Sequence, residues 1–167
     1  MKNRRMAKGF QVVVCLLVLL GGNLYGRDAS IGIENAKLRV IEAKTFYRIS
    51  EFFTGRENTG RRVIVRSDPE QRGGLYFIVR FSESTEDFPV GLKLAVDYYT
   101  ARSGKMKHQE FALPYPMKRT KNIFAGITQE DTEGLRLPIA WRVQLLREDG
   151  TVYSELKSYL WEMPESL

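Results

Sequence analysis

The chain has very little cysteine and histidine. Among 167 residues it has one cysteine, Cys15, and one histidine, His108. Cys15 lies inside an apolar run near the N-terminus, so the chain after residue 26 has no cysteine and forms no internal disulfide. The sequence also has no Asn-x-Ser/Thr acceptor for glycosylation. A domain of this composition must be stabilised by its hydrophobic core alone.

The same shortages weigh against most catalytic and metal chemistry. Nucleophilic triads need a histidine beside the nucleophile, and no Gly-x-Ser-x-Gly motif is present. Zinc sites need several Cys or His ligands, and the glycine-rich stretch "SDPEQRGG" lacks the lysine of a phosphate-binding loop. We therefore expect no catalytic residues, no cofactor and no metal, and we interpret His108 as a surface or sheet-facing residue.

Glycoside hydrolysis is not excluded in this way, because it needs only two carboxylates at a suitable separation. Two acidic groups are candidates for it and for calcium: Glu83, Glu86 and Asp87, and then Glu130, Asp131 and Glu133. Neither group fits the calcium-loop pattern, and acidic turns are common at protein surfaces. We interpret both groups as solvated loops.

The N-terminal segment has the layout of a secretory signal peptide. Lys2, Arg4, Arg5 and Lys8 form a basic region before an apolar run of 11 residues, Phe10 to Leu20. A membrane-spanning helix needs about 20 apolar residues, so this run is short for an anchor. We predict a signal-peptide helix over residues 1–26, with cleavage after Gly26, or after Ala29 as the neighbouring option. An uncleaved N-terminal anchor is the alternative.

Removal of residues 1–26 changes the charge of the chain. The full sequence carries a net charge of +6, but residues 27–167 have 22 basic and 20 acidic residues. Nucleic-acid-binding proteins carry a strong basic footprint, so we expect no nucleic-acid partner. Export without disulfides or glycosylation sites favours a bacterial protein of the periplasm, the cell envelope or the extracellular space.

From Lys37 onward the apolar residues alternate with period two, which predicts half-buried strands. "LYFIVRFS" places Leu75, Phe77, Val79 and Phe81 on one face, and "GLKLAVDYY" places Leu92, Leu94, Val96 and Tyr98 on one face. Further strands are predicted in "KLRVIEA", "TFYRIS", "RRVIVRS", "KHQEFALP", "NIFAGIT" and the C-terminal stretch. Turn-rich separators and the lack of crossover helices predict an all-β, antiparallel two-sheet sandwich over residues 37–167, after a lead-in over residues 27–36.

This arrangement resembles an immunoglobulin-like or fibronectin-type-III-like sandwich over residues 37–163. The resemblance is one of architecture. It departs from antibody domains because a chain without cysteine after residue 26 lacks their disulfide. The sandwich pattern and the missing catalytic constellations together predict a non-catalytic binding or interaction module.

The C-terminal hairpin, "WRVQLLREDGTVYSELKSYLW", admits two registers. A two-residue turn at Asp149 and Gly150 sets Arg142 against Lys157, which is an unfavourable like-charge pair. A four-residue loop from Arg147 to Gly150 pairs Trp141 with Leu156, Leu145 with Val152 and Arg142 with Glu155. We predict the second register. Either register places Ile139, Trp141, Val143, Leu145, Val152, Leu156 and Leu160 on a core face.

The opposite face of this hairpin is the predicted partner-binding surface. It carries Tyr153, Tyr159 and Trp161 beside Arg142, and exposed tyrosine and tryptophan are common at recognition surfaces. Tyr76 and Tyr99 are expected on the same type of polar face. The partner is a protein or a polysaccharide, and the membrane is involved only through the signal segment.

Two groups of basic residues, one at Arg56, Arg61, Arg62 and Arg66 and one at Lys118, Arg119 and Lys121, are interpreted as solvated loops. Their alternative role is to bind lipid head groups, acidic polysaccharide or a partner protein. Two other functions therefore remain open. One is a carbohydrate-binding or small carbohydrate-active protein, and the other is a structural envelope component that holds anionic polymers.

Overall fold

The computed structural model describes residues 31–101, 104–128 and 137–161. The predicted signal peptide and its cleavage sites lie outside these residues. So do the first part of the predicted lead-in and the acidic group Glu130, Asp131 and Glu133.

The described residues form two four-stranded sheets, which confirms the mostly β, two-sheet prediction. One sheet has the order β1-β3-β6-β2 and the other β5-β4-β7-β8. The strands are β1 (Ile33–Ile41), β2 (Val63–Arg66), β3 (Gly74–Phe81), β4 (Lys93–Tyr99), β5 (Met106–Ala112), β6 (Asn122–Ile127), β7 (Ala140–Leu146) and β8 (Val152–Lys157). Three 3-10 turns lie at Ala43–Phe46, Thr85–Asp87 and Tyr159–Trp161. β1 begins inside the segment predicted as a lead-in.

The prediction of a fully antiparallel sandwich is wrong for one strand pair. β2 lies parallel to β6, with Val63 opposite Ile123. A long connection separates β1 from β2, so β2 is not tied to β1 by a hairpin and reaches the far edge of the sheet. All other strand pairs in the described residues are antiparallel.

The predicted strand "TFYRIS" is also wrong. The chain there forms the 3-10 turn Ala43–Phe46 and a short helix, α1 (Ile49–Thr54). Gly55 ends the helix with a φ of 65°, and its N–H donates to the carbonyl of Glu51 at 2.8 Å. Apolar residues at 49, 52 and 53 have the i, i+3, i+4 spacing of one helix face. That spacing and Gly55 are the sequence signals for this helix.

The core lies between the sheets, as the alternation predicts. Phe77 of β3, Tyr98 of β4 and Trp141 of β7 meet across the gap, with both other rings 6.2 Å from that of Phe77. The predicted inner residues of β3 and β4 are all buried: Leu75, Phe77, Val79, Phe81, Leu92, Leu94, Val96 and Tyr98. Burial of one such side chain contributes about 1.5–3 kcal/mol. This is the main stabilisation available to a domain without disulfides.

The predicted register of the C-terminal hairpin is wrong. Gly150 donates to the carbonyl of Arg147 at 3.0 Å and has a φ of 83°, which closes a three-residue loop. A bulge at Tyr153 then shifts the pairing by one residue. Beyond the bulge Arg142 lies opposite Lys157, which is the register rejected on charge grounds. The repulsion is avoided because Arg142 binds Asp97 of β4 at 2.8 Å and Lys157 binds Glu155 at 2.8 Å.

Three residues assigned to the core face of this hairpin are exposed instead: Ile139, Val152 and Leu160. Ile139 and Leu160 lie outside the strands, where alternation no longer fixes the direction of a side chain. Val152 pairs with Leu146 because of the bulge, and therefore faces outward. Val143 and Leu145 are fully buried as predicted, and Trp141 and Leu156 pack against the core.

Tyr76 of β3 is fully buried on the outer face of its sheet, opposite Gly126 of β6. Its hydroxyl donates to the carbonyl of Arg72 at 2.7 Å. A Cβ atom at position 126 would lie 2.5 Å from the tyrosine ring, so only glycine leaves room for the ring there.

We expect Gly126→Ala to lower the free energy of unfolding by about 2 kcal/mol, since the ring of Tyr76 must move and strain its hydrogen bonds. Gly32→Ala is the matched control, because its Cβ would meet only the Ser82 hydroxyl at 3.6 Å. Its expected effect is within about 0.5 kcal/mol. Urea unfolding measures both variants, and equal effects would show that the ring of Tyr76 is not held in place.

Candidate functional site

The structure brings together part of the predicted partner-binding surface. The guanidinium of Arg142 lies 5.2 Å from the ring centre of Trp161, and Trp161 packs on Tyr99 with ring centres 5.4 Å apart. Tyr159 belongs to the same 3-10 turn as Trp161 and is 85% exposed. Arg142, Tyr159 and Trp161 therefore lie at one end of the hairpin.

Tyr153 lies elsewhere. It is the extra residue of the bulge, near the turn of the hairpin, and it packs against the hydrophobic core. The guanidinium of Arg147 lies 4.5 Å from its ring centre. Ser158, which directly precedes the turn that carries Trp161, is five positions beyond Tyr153, or roughly 16 Å along an extended strand. The bulge thus removes Tyr153 from the surface where alternation placed it.

Asp97 of β4 lies at the centre of a cluster of charged side chains that the sequence pattern did not predict. It lies opposite His108 of β5 and opposite Arg142 of β7. One carboxylate oxygen is 2.5 Å from Nδ1 of His108, and the other accepts from Nε and Nη2 of Arg142 at 2.9 and 2.8 Å. Only 3% of the Asp97 side chain is exposed. Three strands are therefore joined through one buried carboxylate.

Acidic neighbours extend this centre. Glu110 is 3.5 Å from Nε2 of His108, and Glu155 is 3.8 Å from Arg142. The hydrogen bond to Asp97, with its charge and that of Glu110, raises the pKa of His108, although partial burial opposes this. Both oxygens of Asp97 are occupied, which suits a cross-strand ion pair better than proton transfer. In the described part of the chain, no cluster of three or more His, Cys, Asp or Glu side chains is placed to hold a metal.

A second feature, the outward face of α1, was missed from the sequence. Ile49, Phe52 and Phe53 are 84%, 89% and 79% exposed, and the two phenyl rings are 5.6 Å apart. Their spacing places them on one face of the helix. We call these three residues the apolar tip. The helix is amphipathic, but its apolar side faces solvent, which is the reverse of an ordinary surface helix.

The polar side of α1 attaches it to the domain. Glu51 accepts the Asn58 N–H at 3.0 Å and pairs with Arg72 at 2.5 Å. The Asn58 side chain donates to Ser50 at 2.9 Å, and the Arg72 guanidinium lies 4.4 Å from the ring centre of Tyr47. The N–H of Asn58 and then Arg72 lower the pKa of Glu51, so its charge persists to more acidic pH than usual.

Arg66 continues this attachment into the first sheet. It binds Glu57 through two hydrogen bonds, at 2.8 and 2.7 Å, and donates to the Tyr76 hydroxyl at 2.9 Å. Its guanidinium also lies over the ring of Phe46, which packs on Tyr76. The paired hydrogen bonds from Arg66 lower the pKa of Glu57 despite its partial burial. The two acids nearest α1 are thus both neutralised within the domain.

The two basic groups of the sequence meet beside α1. Lys118 donates to the Thr59 hydroxyl at 2.6 Å and to the Gly60 carbonyl at 2.9 Å, and the Arg48 guanidinium also lies against Gly60. Arg61 lines a surface depression with Gly60 and Lys118. Arg48 and Arg56 line another depression together with Phe52. We call Arg48, Arg56, Arg61 and Lys118 the basic ledge.

The ledge residues carry unneutralised charge. Within the ranges the structure describes, none of the four forms an ion pair, whereas Arg66 and Arg72 are paired with Glu57 and Glu51. The sequence pattern alone favours an interpretation of the two basic groups as solvated loops. That interpretation misses the contact between the two loops, in which Lys118 donates to the carbonyl of Gly60. No pattern in the sequence predicts that contact, because 59 residues separate Thr59 from Lys118.

Comparisons of the chain with protein-family models, with curated proteins and with solved structures find no match. Within residues 31–101, 104–128 and 137–161, none of the helices has the length and hydrophobicity of a membrane-spanning segment.

We expect Arg142→Met to lower the free energy of unfolding by about 2–4 kcal/mol, because Asp97 then keeps a buried charge with only His108 as partner. The control is Arg39→Met, which removes an exposed arginine of β1 that forms no ion pair in the described ranges. Urea unfolding at neutral pH compares the two. Similar small losses in both variants would contradict the role given to Asp97.

The stabilisation from His108 is expected to depend on pH. Because its pKa is raised on folding, the contribution is complete below the unfolded value of about 6.5 and disappears as the pH rises through the higher folded value. His108→Gln should therefore destabilise the protein more at pH 5.5 than at pH 9. Denaturation of both proteins at each pH tests this, and an equal loss at the two values would contradict it.

Proposed function

We propose that the chain is a non-catalytic binding module of the bacterial cell envelope or extracellular space, and that it docks through the apolar tip of α1. The carrying observation is the exposure of Ile49, Phe52 and Phe53 on a helix whose polar side is bonded to neighbouring residues and to Arg72. Burial of three such side chains yields roughly 5–9 kcal/mol before the cost of association. Monomeric soluble proteins rarely leave this type of apolar cluster without a partner.

An immunoglobulin-like or fibronectin-type-III-like fold belongs to this proposal. In its support, β1, β3 and β6 are neighbours in one sheet, and β4, β7 and β8 are neighbours in the facing sheet. Immunoglobulin-type sandwiches place strands A, B, E and C, F, G in this way. The parallel edge strand β2 is an addition to that plan. Domains of this architecture serve many unrelated binding functions, so the fold alone does not select a ligand.

Export is supported by the signal-peptide layout of residues 1–26 and by the absence of cysteine from the chain that follows.

Binding to a sugar is the second candidate function. The specific observation in its favour is the exposed Tyr159 beside Trp161, whose ring contacts both Tyr99 and Arg142. Aromatic rings fixed in this way suit a flat ligand.

The test is affinity capture of tagged residues 27–167 from envelope extracts, with bound proteins, glycans and lipids identified. A tip variant, Ile49→Ser, Phe52→Ser, Phe53→Ser, is compared with a control variant, Tyr159→Ser, Leu160→Ser. Serine has nearly the helix propensity of Ile and Phe, and the tip residues are exposed, so the tip variant should unfold within about 0.5 kcal/mol of the parent.

The expected result is that the tip variant loses the retained molecules and the control variant keeps them. The reverse pattern would favour the sugar-binding surface at Tyr159 and Trp161. If the parent retains nothing even at low salt, both binding proposals are wrong.

A further inference from the structure

From the apolar tip and the basic ledge together we infer that the partner bound by α1 is the surface of an anionic lipid bilayer. This inference rests on the proposed function and names its ligand. The domain would lie on the membrane, not cross it, by inserting the tip among the acyl chains and setting the ledge against the head groups.

The shape of the apolar tip favours a bilayer as its partner. Its three side chains come from a helix of six residues, and each is at least 79% exposed. Such exposure means that the tip projects from the domain. Stable protein–protein interfaces bury about 800 Å² on each partner through 20–30 residues. A small projecting tip is poorly suited to that, but it is well suited to entering a fluid apolar layer.

The positions of the basic side chains favour the same partner. Arg48 directly precedes α1, Arg56 closely follows it, and both line a depression with Phe52. The contacts at Gly60 add Lys118, and Arg61 adjoins them. A bilayer with anionic lipids attracts such residues at its surface, and long arginine and lysine side chains reach head groups while the apolar residues insert.

The segment that contains α1 has a local excess of positive charge. Residues 43–66 contain six basic and two acidic residues, whereas residues 27–167 contain 22 and 20. Both acids of the segment, Glu51 and Glu57, are paired with arginines of the domain. The positive charge is therefore concentrated where the apolar residues are exposed. Peripheral membrane attachment generally requires two signals, and this segment supplies an apolar one and an electrostatic one.

The basic ledge and the apolar tip argue against two other partners, a second copy of the chain and an acidic polysaccharide. Two copies docking tip to tip would bring two basic ledges together, which is electrostatically unfavourable. An acidic polysaccharide would use the ledge, but it gives no reason for the exposure of Phe52 and Phe53. A bilayer surface accounts for both features.

The experiment is sedimentation of residues 27–167 with vesicles. This part of the chain contains the whole described core, which begins at Ile31 within one compact unit, Ile31–Leu167. Vesicles of phosphatidylcholine alone are compared with vesicles in which about a third of the lipid is phosphatidylglycerol. We expect binding to the anionic vesicles, at least 10-fold weaker binding to the neutral ones, and weakening at high salt.

Two variants separate the two signals. The tip variant should bind anionic vesicles at least 10-fold more weakly than the parent, and so should Arg48→Gln, Arg56→Gln, which removes two charges beside α1. The variant Val90→Ser, Ile139→Ser is the matched control, because it removes two exposed apolar side chains from connections other than the one that carries α1, and it should bind like the parent.

Several results would overturn the inference. They are no binding of the parent to anionic vesicles, equal binding by the tip variant, or tip-dependent dimers of the free protein in analytical ultracentrifugation. Loss of binding in the arginine variant alone would indicate a purely electrostatic contact and would overturn it as well. If vesicles fail but envelope capture still depends on the tip, the binding module stands and only the lipid assignment falls.

Discussion

The position of α1 on the domain depends on the hydrogen bonds of the Tyr76 hydroxyl. Tyr76 is buried on the outer face of its sheet because Phe46 and Arg66 cover it, and its hydroxyl accepts from Arg66 while donating to the carbonyl of Arg72. Those two arginines hold Glu57 and Glu51. One buried phenol therefore fixes the connection between β1 and β2 to the sheet. Glycine at position 126 is the condition for it, since any Cβ there would occupy the space of the ring.

This attachment explains how so short a helix persists. Helices shorter than about 12 residues are marginal in water, so α1 must be stabilised by contacts outside itself. Those contacts use its polar side, through Ser50 and Glu51. The apolar side therefore faces solvent, which costs free energy. A helix with a purely structural role would avoid this cost by packing its apolar side against the domain. An arrangement in which partly exposed ion pairs hold apolar residues in water is understood once another surface covers those residues.

The sequence predicts the parts of the fold that follow from local periodicity. Alternation identifies the inner faces of β3 and β4, and these form the core as expected. It fails where a partner from another strand decides the outcome. The pair Arg142 and Lys157 looks unfavourable within the hairpin, but Arg142 is neutralised by Asp97 of β4, which no hairpin analysis includes. The bulge at Tyr153 has no sequence signal that distinguishes it from regular alternation, and it displaces Tyr153 from the predicted surface.

The two charged regions show why residue type alone does not define a site. Around Asp97, the strand order places a carboxylate between His108 and Arg142, so charge is satisfied within the sheet and the cluster stabilises the fold. In and beside α1, the carboxylates of Glu57 and Glu51 form ion pairs with Arg66 and Arg72. In the part of the chain that the structure describes, Arg48, Arg56 and Arg61 are exposed and form no ion pair. The topology thus separates the basic residues into those paired within the domain and those that form no ion pair in the described ranges. Two of the latter, Arg48 and Arg56, line a depression with Phe52. That coincidence of free positive charge and exposed apolar surface is the physical basis for assigning the site to α1, not to the hairpin.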